Sequence, residues 1–463
     1  MQNLRSIDDA PLNRLVIRTL IYTSAGMLLD GYIMGSTAIG MSMAGSDLKL
    51  SSWWVGALTA AVLAGIFLGA LVSGRVADRF GRRTVFIADL LLLLIASIGQ
   101  FWVGQPGLLL VVRILIGVAI GAEYAVGSSL LAEFAPRRSR SWMLSTMTAF
   151  WTGGYVIGYL LSFAMREAGW SWQIVLGMAA APATLALLTR IGAPESPRWQ
   201  VSHGRIDAAL TTVRKYYGPE YGVEDLALQE RTGVRYSTLF SAPYRTRTAF
   251  AAAFWTLQVT VSFAMLLFLP TVFGALGIKS ELGGNLLINA TMVVGVALGI
   301  VVVQRINRRP LVIWTFVAMA TFMALMAGYQ VLPVWVVLLS FAVYMLVGAA
   351  SGNLQFVYPP ELFPTQVRSS GVGFAAACSR VGSTISTFLL PVLLTSAGAT
   401  WTFLILAGVS AVGALVSLVW APETRNLSLT EASDVGAQAE PQPRTAAAAE
   451  PAGGRVPPPA ELL

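Results

Sequence analysis

The sequence predicts an all-α membrane protein whose twelve transmembrane helices form two pseudo-symmetric six-helix bundles. Of the 463 residues, 56% are hydrophobic and only 12% are charged, which leaves too little polar surface for a water-soluble particle. Apolar stretches of roughly 20 residues recur along nearly the whole chain, and each is long enough to cross about 30 Å of hydrocarbon as a helix. Three short motifs also recur at nearly one offset, which indicates a duplicated six-span unit.

Twelve apolar spans follow one another along the chain. The first six lie near 16–42, 53–74, 84–104, 107–131, 142–165 and 170–191, and the other six near 248–273, 284–304, 311–331, 333–357, 370–395 and 399–420. The segment between the two groups is polar, and the end of the chain is rich in Ala, Pro, Glu and Gly, a composition typical of disorder. We therefore expect an N-terminal bundle (1–191), a cytoplasmic linker (192–247), a C-terminal bundle (248–425) and a disordered cytoplasmic tail (426–463).

The net charge of +8 reflects the placement of basic residues in the loops. Most arginines lie in the N-terminal segment and in alternate loops, whereas the other loops hold only Lys49, Arg166 and Lys279. Because positive loops stay in the cytoplasm, we expect a multi-pass protein of the cell membrane with both termini inside. The positive net charge is therefore explained by membrane topology and does not indicate a nucleic-acid partner.

Composition also excludes several kinds of chemistry. The single cysteine, Cys378, and the single histidine, His203, cannot supply a metal cluster or a histidine proton relay. None of the three lysines follows a glycine, so the sequence has no phosphate-binding P-loop. We expect no metal, no cofactor and no enzymatic activity.

The repeat is visible at the ends of corresponding spans. Glu133-x-x-Pro136-x-x-x-Arg140 returns as Glu361-x-x-Pro364-x-x-x-Arg368, at an offset of 228. The same offset relates Pro194-Glu195-Ser196 to Pro422-Glu423-Thr424. An offset of 226 relates Gly81-Arg82-Arg83 to Asn307-Arg308-Arg309.

These motifs resemble those of the major facilitator superfamily. The loop 74–83, GRVADRFGRR, is similar to the superfamily's signature loop, and PESPRW at 194–199, ELFPTQVR at 361–368 and PETRNLSL at 422–429 resemble the branch of sugar porters and metabolite:proton symporters. Within it, LLDGY at 28–32 and GAEYAVGSSLLAEF at 121–134 look most like symporters of organic acids, phosphate and related metabolites. The resemblance implies a secondary transporter that works by alternating access.

Two departures bear on the substrate. Such symporters often carry a second acid where this chain has Ile33, and sugar porters carry paired glutamines where this chain offers only Gln258. A sugar substrate is therefore disfavoured.

The signature loop and its repeats form the expected gating region. Glycines permit a tight turn, Asp78 can accept hydrogen bonds from an arginine or a helix N-terminus, and Arg75 with Glu133 gives a charge cluster that could hold the two halves together when the outside is open. The alternative is that these residues only determine topology. The expected set is Gly74, Arg75, Asp78, Arg79, Gly81, Arg82, Arg83, Glu133, Arg140, Glu195, Arg198, Glu361, Arg368 and Glu423.

Charges inside the spans point to the working site, because an unpaired charge in hydrocarbon costs at least a few kcal/mol. Asp30 and Glu123 lie near the middle of spans 1 and 4, and Arg113 lies nearer the outer end of span 4. We expect Asp30 and Glu123 to carry protons, with Arg113 tuning them; permanent ion pairing with Arg113 is the alternative. Asp89 we interpret as an interfacial or packing residue.

Arg380, near the middle of span 11, is the expected substrate anchor, since a guanidinium suits a carboxylate or phosphate; interhelical pairing is the alternative. At the offset of 228, Asp30 corresponds to Gln258, which suggests protons in the first half and ligand contacts shared with the second. Polar and aromatic residues of the likely cavity helices complete the predicted binding set, although each alone could equally be a packing residue: Tyr32, Trp151, Tyr155, Trp255, Gln258, Asn285, Asn289, Asn353 and Gln355.

The leading hypothesis is proton-coupled uptake of a small organic anion or related metabolite by a functional monomer in the lipid bilayer. A proton-antiport exporter of a drug or secondary metabolite would use the same acids in reverse order. A transporter-like receptor is the remaining alternative.

Overall fold

A computed structural model describes residues 10–223, 236–242, 244–275, 281–363 and 368–424, and most of these residues are helical. The first half contains α1 (Arg14–Asp47), α2 (Ser52–Phe80), α3 (Arg82–Gly99), α4 (Pro106–Phe134), α5 (Arg137–Glu167), α6 (Trp172–Gly177) and α7 (Ala180–Thr189). Between the halves lie α8 (Pro197–Ser202) and α9 (Ile206–Tyr216). The second half contains α10 (Arg245–Leu267), α11 (Leu269–Ala275), α12 (Glu281–Arg305), α13 (Arg308–Ala327), α14 (Val334–Glu361), α15 (Arg368–Ser396) and α16 (Gly398–Trp420). Short 3-10 turns occupy Gln100–Trp102 and Tyr236–Phe240.

The helix starts follow the sequence closely. Asn13 caps α1 by accepting a 2.9 Å hydrogen bond from the Val16 amide, and Ser51 caps α2. Gly81 separates α2 from α3 with a φ of 99°, a left-handed conformation that glycine adopts without steric cost. Pro106 opens α4, where its missing N–H removes no helical hydrogen bond.

Within the described residues, ten segments are long and apolar enough to cross a membrane, and α1 and α5 complete the predicted twelve. These two helices are less apolar because they carry many glycine, serine and threonine residues, and α5 begins with arginines. They pack closely against each other: a methyl group at Gly31 would collide with the Trp151 carbonyl, and one at Gly154 with the Leu28 carbonyl. The most polar pair of spans is therefore also one of the most tightly packed.

Two predicted spans are interrupted. The sixth is divided into α6 and α7, and the seventh into α10 and α11. Pro270 explains the second break, because proline has no N–H for the carbonyl of Leu266 four residues earlier. That carbonyl instead accepts a 2.8 Å hydrogen bond from the Tyr155 hydroxyl of the first half.

Each half uses the same internal pairing. In the first half α1 packs on α5 and α2 on α4, and in the second half α10 packs on α15 and α12 on α14. The halves meet where α2 packs on α15: the Trp53 and Phe388 rings lie 5.9 Å apart, near the start of α2. We call the end of the molecule that holds Arg79, Arg82 and Arg83 the basic end; the Trp53–Phe388 contact lies toward the opposite end.

The predicted linker is partly ordered against the first half. Trp199 of α8 donates a 2.8 Å hydrogen bond to the Asp78 carbonyl, and Tyr217, just after α9, donates one of 2.8 Å to the Phe134 carbonyl. Both contacts join the linker to the basic end. The predicted tail at 426–463 lies outside the described residues.

Candidate functional site

Asp30 is the centre of the candidate site. Its side chain on α1 is buried, and its Oδ2 atom accepts two hydrogen bonds: one of 2.5 Å from the Tyr124 hydroxyl of α4 and one of 2.6 Å from the Trp151 indole of α5. Two donors on one carboxylate oxygen fix the orientation of the group and stabilise its charge. Three helices of the first half therefore converge on Asp30.

Arg380 brings the second half to the same place. Its guanidinium carbon lies over the Tyr124 ring, 5.1 Å from the ring centre, and 5.7 Å from the centre of the Phe263 ring. It is close enough to Asp30 for the two charges to interact. Asp30, Tyr124 and Arg380 thus form a chain of contacts from α1 through α4 to α15.

Tyr124 was missed by the sequence interpretation. A tyrosine in an apolar span is ordinary by itself, but Tyr124 directly follows Glu123 in the motif already singled out. Successive helical residues face different sides, about 100° apart, so Tyr124 faces Asp30 while Glu123 faces another partner.

An aromatic column on α5 lines this meeting point. The Trp151 and Tyr155 rings are stacked with centres 6.1 Å apart, and Tyr155 and Tyr159 are stacked at the same spacing. Trp151 also contacts the Phe263 ring of the second half at 6.0 Å. The predicted residues Trp151 and Tyr155 therefore lie where the two halves touch.

The second half contributes neutral amides. Gln258 of α10 donates a hydrogen bond to the Ser351 hydroxyl of α14, and its Oε1 atom accepts one of 3.1 Å from Gln355. Asn353 instead donates a 3.2 Å hydrogen bond to the Val296 carbonyl of α12, which is the helix-bridging alternative for this residue.

The remaining members of the predicted binding set are less informative. Tyr32, Trp255 and Asn289 are buried in the helix packing. The side chain of Asn285 lies outside the part of the structure that is described.

Glu123 has a partner at the end of the sixth predicted span. Arg190, immediately after α7, is fully buried, forms an ion pair with Glu123, and approaches Asp89 of α3 at 3.0 Å. Its guanidinium also lies on the Phe86 ring, 3.4 Å from the ring centre. Asp89, which the sequence analysis interprets as an interfacial or packing residue, is buried and belongs with Arg190 to this charge cluster.

Arg113 does not pair with either acid in the described structure. Its Nε atom donates a 2.7 Å hydrogen bond to the Leu58 carbonyl of α2, and an Nη atom donates one of 3.0 Å to the Thr37 hydroxyl of α1. The expected partnership of Arg113 with Asp30 or Glu123 is thus replaced by neutral acceptors that join α1, α2 and α4.

The motif residues of the first half meet at the basic end. Glu195 accepts hydrogen bonds of 3.0 and 3.1 Å from the Arg82 and Arg83 amides, so it caps α3. Glu133 at the end of α4 forms an ion pair with Arg82 and accepts a hydrogen bond from the Ser196 hydroxyl. We call Arg82, Glu133, Glu195 and Ser196 the first motif cluster.

The second half repeats this arrangement. Glu423 accepts hydrogen bonds of 2.9 and 3.2 Å from the Arg308 and Arg309 amides at the start of α13. Arg308 pairs with Glu361 through two contacts of 3.1 and 3.2 Å, and Thr424 donates a 2.6 Å hydrogen bond to Glu361. These residues (Arg308, Glu361, Glu423 and Thr424) form the second motif cluster.

The other gating residues take different places. The Asp78 side chain is exposed, Arg79 lies over the Phe80 ring at 5.4 Å, and Arg198 is close enough to Glu133 for their charges to interact. Gly74 lies in α2 with open space around it. The side chains of Arg75, Arg140 and Arg368 lie outside the described part.

Glu133, which the sequence analysis grouped with Arg75, forms its ion pair with Arg82. Each motif cluster joins helices within one half and does not connect the two halves.

The fold and the repeated motif clusters define a major facilitator transporter. The family model described as "Sugar (and other) transporter" matches residues 23–435, so the chain belongs to that family. It is therefore a multi-pass membrane transporter and not an enzyme.

Two curated relatives and one solved structure are similar over almost the whole chain. The inner membrane metabolite transport protein YgcS of Escherichia coli is 38% identical over 93% of this chain and 96% of that protein. The putative metabolite transport protein YaaU of Escherichia coli is 34% identical over 94% of this chain and 98% of that protein. The xylose transporter XylE of Escherichia coli, in a partially occluded inward-open conformation, aligns with a TM-score of 0.78 at 20% identity, over 89% of this chain and 99% of its own.

Proposed function

We propose that this transporter couples proton entry to the uptake of a small organic anion or related metabolite. The observation that carries the proposal is the convergence of Asp30 and Arg380 on Tyr124, one charge from each half. YgcS is named an inner membrane metabolite transport protein and YaaU a putative metabolite transport protein, and XylE is a proton:xylose symporter.

The coupling follows from charge balance. While Asp30 is ionised, its carboxylate offsets the positive charge of Arg380. When Asp30 takes up a proton, that compensation ends and Arg380 can bind the carboxylate of a substrate. Because uncompensated charge is costly in a closed site, the site closes favourably with neither ligand or with both.

Alternating access then moves both ligands together. The Tyr155–Leu266 and Trp53–Phe388 contacts join the halves away from the basic end. On the positive-inside rule the basic end faces the cytoplasm and both termini are inside. The motif clusters stiffen the cytoplasmic ends of the two bundles, which rock about the central site as a functional monomer.

A neutral polyol or sugar is the second candidate. Arg380 already has a charge partner in Asp30, and the Gln258–Gln355 amide pair offers the donors and acceptors that hydroxyl groups use. Similar proteins include a glucose transporter of Staphylococcus epidermidis and a myo-inositol transporter of Bacillus subtilis, each 26% identical to this chain.

Proteoliposomes containing the full chain provide the test. Organic acids, phosphate, sugars and polyols are screened for accumulation driven by an imposed pH gradient, acidic outside. For the solute that accumulates, Asp30→Asn should abolish accumulation but keep solute exchange, because exchange needs no net proton movement. Asp207→Asn, a neutralised exposed acid on α9, is the matched control. Normal accumulation by Asp30→Asn would refute the coupling role.

Arg380→Lys separates the two substrate classes. Lysine keeps the charge but loses the planar fork that binds a carboxylate through two hydrogen bonds. For an anionic substrate we expect affinity for carboxylates to fall at least about tenfold more than affinity for neutral analogues. Equal losses for both would remove the anion hypothesis and favour the polyol.

A further inference from the structure

The charge cluster around Arg190 contains one more acid than base. Asp89, Glu123 and Arg190 come from α3, α4 and the end of α7, and their side chains are 1%, 4% and 0% exposed. Asp30 on α1 is the further charged group that interacts with Glu123. Two carboxylates beside a single guanidinium would leave a net negative charge in the interior of the bundle, which is costly.

The two carboxyl groups also interact with each other. Asp89 and Glu123 share Arg190, and each keeps one buried carboxyl oxygen, Oδ2 of Asp89 and Oε1 of Glu123, that has no hydrogen-bond partner among the described residues. An ionised carboxylate can only accept hydrogen bonds, so a proton on one of the two groups would supply the donor that these buried oxygens lack. Two like charges that share one buried guanidinium favour the singly protonated pair.

The surrounding helices enclose this pair tightly. A methyl group at Gly26 of α1 would collide with the Glu123 carboxyl group, so the α1 backbone lies directly against it. Asp30 follows Gly26 by about one helical turn, and Glu123 precedes Tyr124, the hydrogen-bond donor to Asp30. A movement of α1 relative to α4 therefore changes the surroundings of both acids.

We propose that Asp89 and Glu123 hold one proton between them, oriented by Arg190, as a proton-binding site separate from Asp30. Arg190 balances the one remaining negative charge, and the proton forms the hydrogen bond between the two carboxyl groups. The site deepens the proton coupling of the proposed function, yet its occupancy can be measured with no substrate at all.

Infrared spectroscopy of the purified full chain in liposomes tests the occupancy. The carbonyl stretch of a protonated carboxyl group is separate from the stretches of a carboxylate. We use the Asp30→Asn background, so that Asp30 cannot contribute. At neutral pH we expect a carboxylic acid band that disappears when either Asp89→Asn or Glu123→Gln is added and that persists with Glu167→Gln, a control at a side chain 60% exposed.

Thermal unfolding of the same proteins checks that they fold. Each single substitution leaves one carboxylate for Arg190 and places an amide donor where the proton was, so the midpoint should stay near that of the background. The double variant leaves Arg190 without a carboxylate partner, so its unfolding midpoint should fall by more than the two single shifts combined. If one single variant does not fold, the other still removes the band.

Two results would overturn the proposal: no carboxylic acid band at neutral pH in the Asp30→Asn protein, or a band that survives both further substitutions. Neither depends on transport. Failure of the uptake experiment with the band present would instead reject the proposed function and leave this site standing.

Discussion

The two halves of the molecule are nearly alike at the basic end and unlike in the interior. In each motif cluster one glutamate caps the start of a helix. A second glutamate pairs with an arginine and accepts a hydrogen bond from a hydroxyl group. Inside, the first half buries Asp30, Asp89, Arg113, Glu123 and Arg190. The duplicated unit has kept its framework while the interiors diverged.

The divergence can be followed position by position. At the offset of 228, Asp30 and Glu123 correspond to Gln258 and Ser351, and these two neutral residues are hydrogen-bonded to each other. Where the first half has groups that can exchange protons, the second half has groups that can only donate and accept hydrogen bonds. The comparison suggests that proton handling belongs to the first half and that the second half supplies fixed polar contacts.

The largest expected effect comes from removing the charge that balances the first half. Arg190→Met leaves Asp89 and Glu123 without their cation, and breaking a buried ion pair in this way costs about 3–5 kcal/mol. Gln258→Leu, a change in the neutral interior of the second half, leaves neutral partners unsatisfied and should cost about 1–3 kcal/mol. Unfolding of both variants in the same detergent measures the difference, and the Arg190→Met loss should grow at alkaline pH.

Similar losses for the two variants would contradict the contrast between a charged and a neutral interior. A pH-independent loss for Arg190→Met would show that the two acids do not depend on its charge.

The next effect concerns helix contacts that correspond at the offset of 228. A methyl group at Gly154 would meet the backbone carbonyl of Leu28, whereas one at Gly382 would meet mainly the side chains of Thr256 and Thr260. Side chains can rotate but a helix backbone must shift as a whole. We therefore expect Gly154→Ala to cost about 1–3 kcal/mol, the usual range for overpacking, and Gly382→Ala to cost less.

Thermal unfolding of the two alanine variants provides the measurement. Gly348→Ala, at a glycine with open space around it, is the control that isolates the change in helix propensity. A larger loss at Gly382 than at Gly154 would mean that the second half is the more rigid one.

The sequence was sufficient for the fold because the signals are local or periodic. Apolar length predicted the spans, and the repeated motifs predicted the duplicated architecture. Asp30 and Arg380 were singled out because a charge in an apolar span stands out, whereas Trp151 was one of several residues that alone could equally be packing; the structure brings the three together.

What sequence reasoning missed depends on distances between helices. Arg190 stands at the end of an apolar span next to the polar linker, so its sequence context is that of an ordinary loop arginine. Its two partners lie on α3 and α4, and nothing in the spacing connects the three positions. For Arg113 the sequence suggested a contact that the structure does not show. An arginine deep in a span suggested an acidic partner, whereas its guanidinium donates to the neutral oxygens of Leu58 and Thr37.

The smallest expected effect tests the likeness of the two motif clusters. Glu195→Gln and Glu423→Gln each keep a capping oxygen but remove the negative charge at the start of α3 or α13, so each should cost about 0.3–1 kcal/mol. Because the contacts match, we expect the two losses to agree, and the double variant to show their sum, since distant sites are additive. Unfolding curves of the three variants, with Glu167→Gln as the exposed control, give the comparison. A loss at one glutamate several times that at the other would show that the two clusters share geometry without sharing energetics.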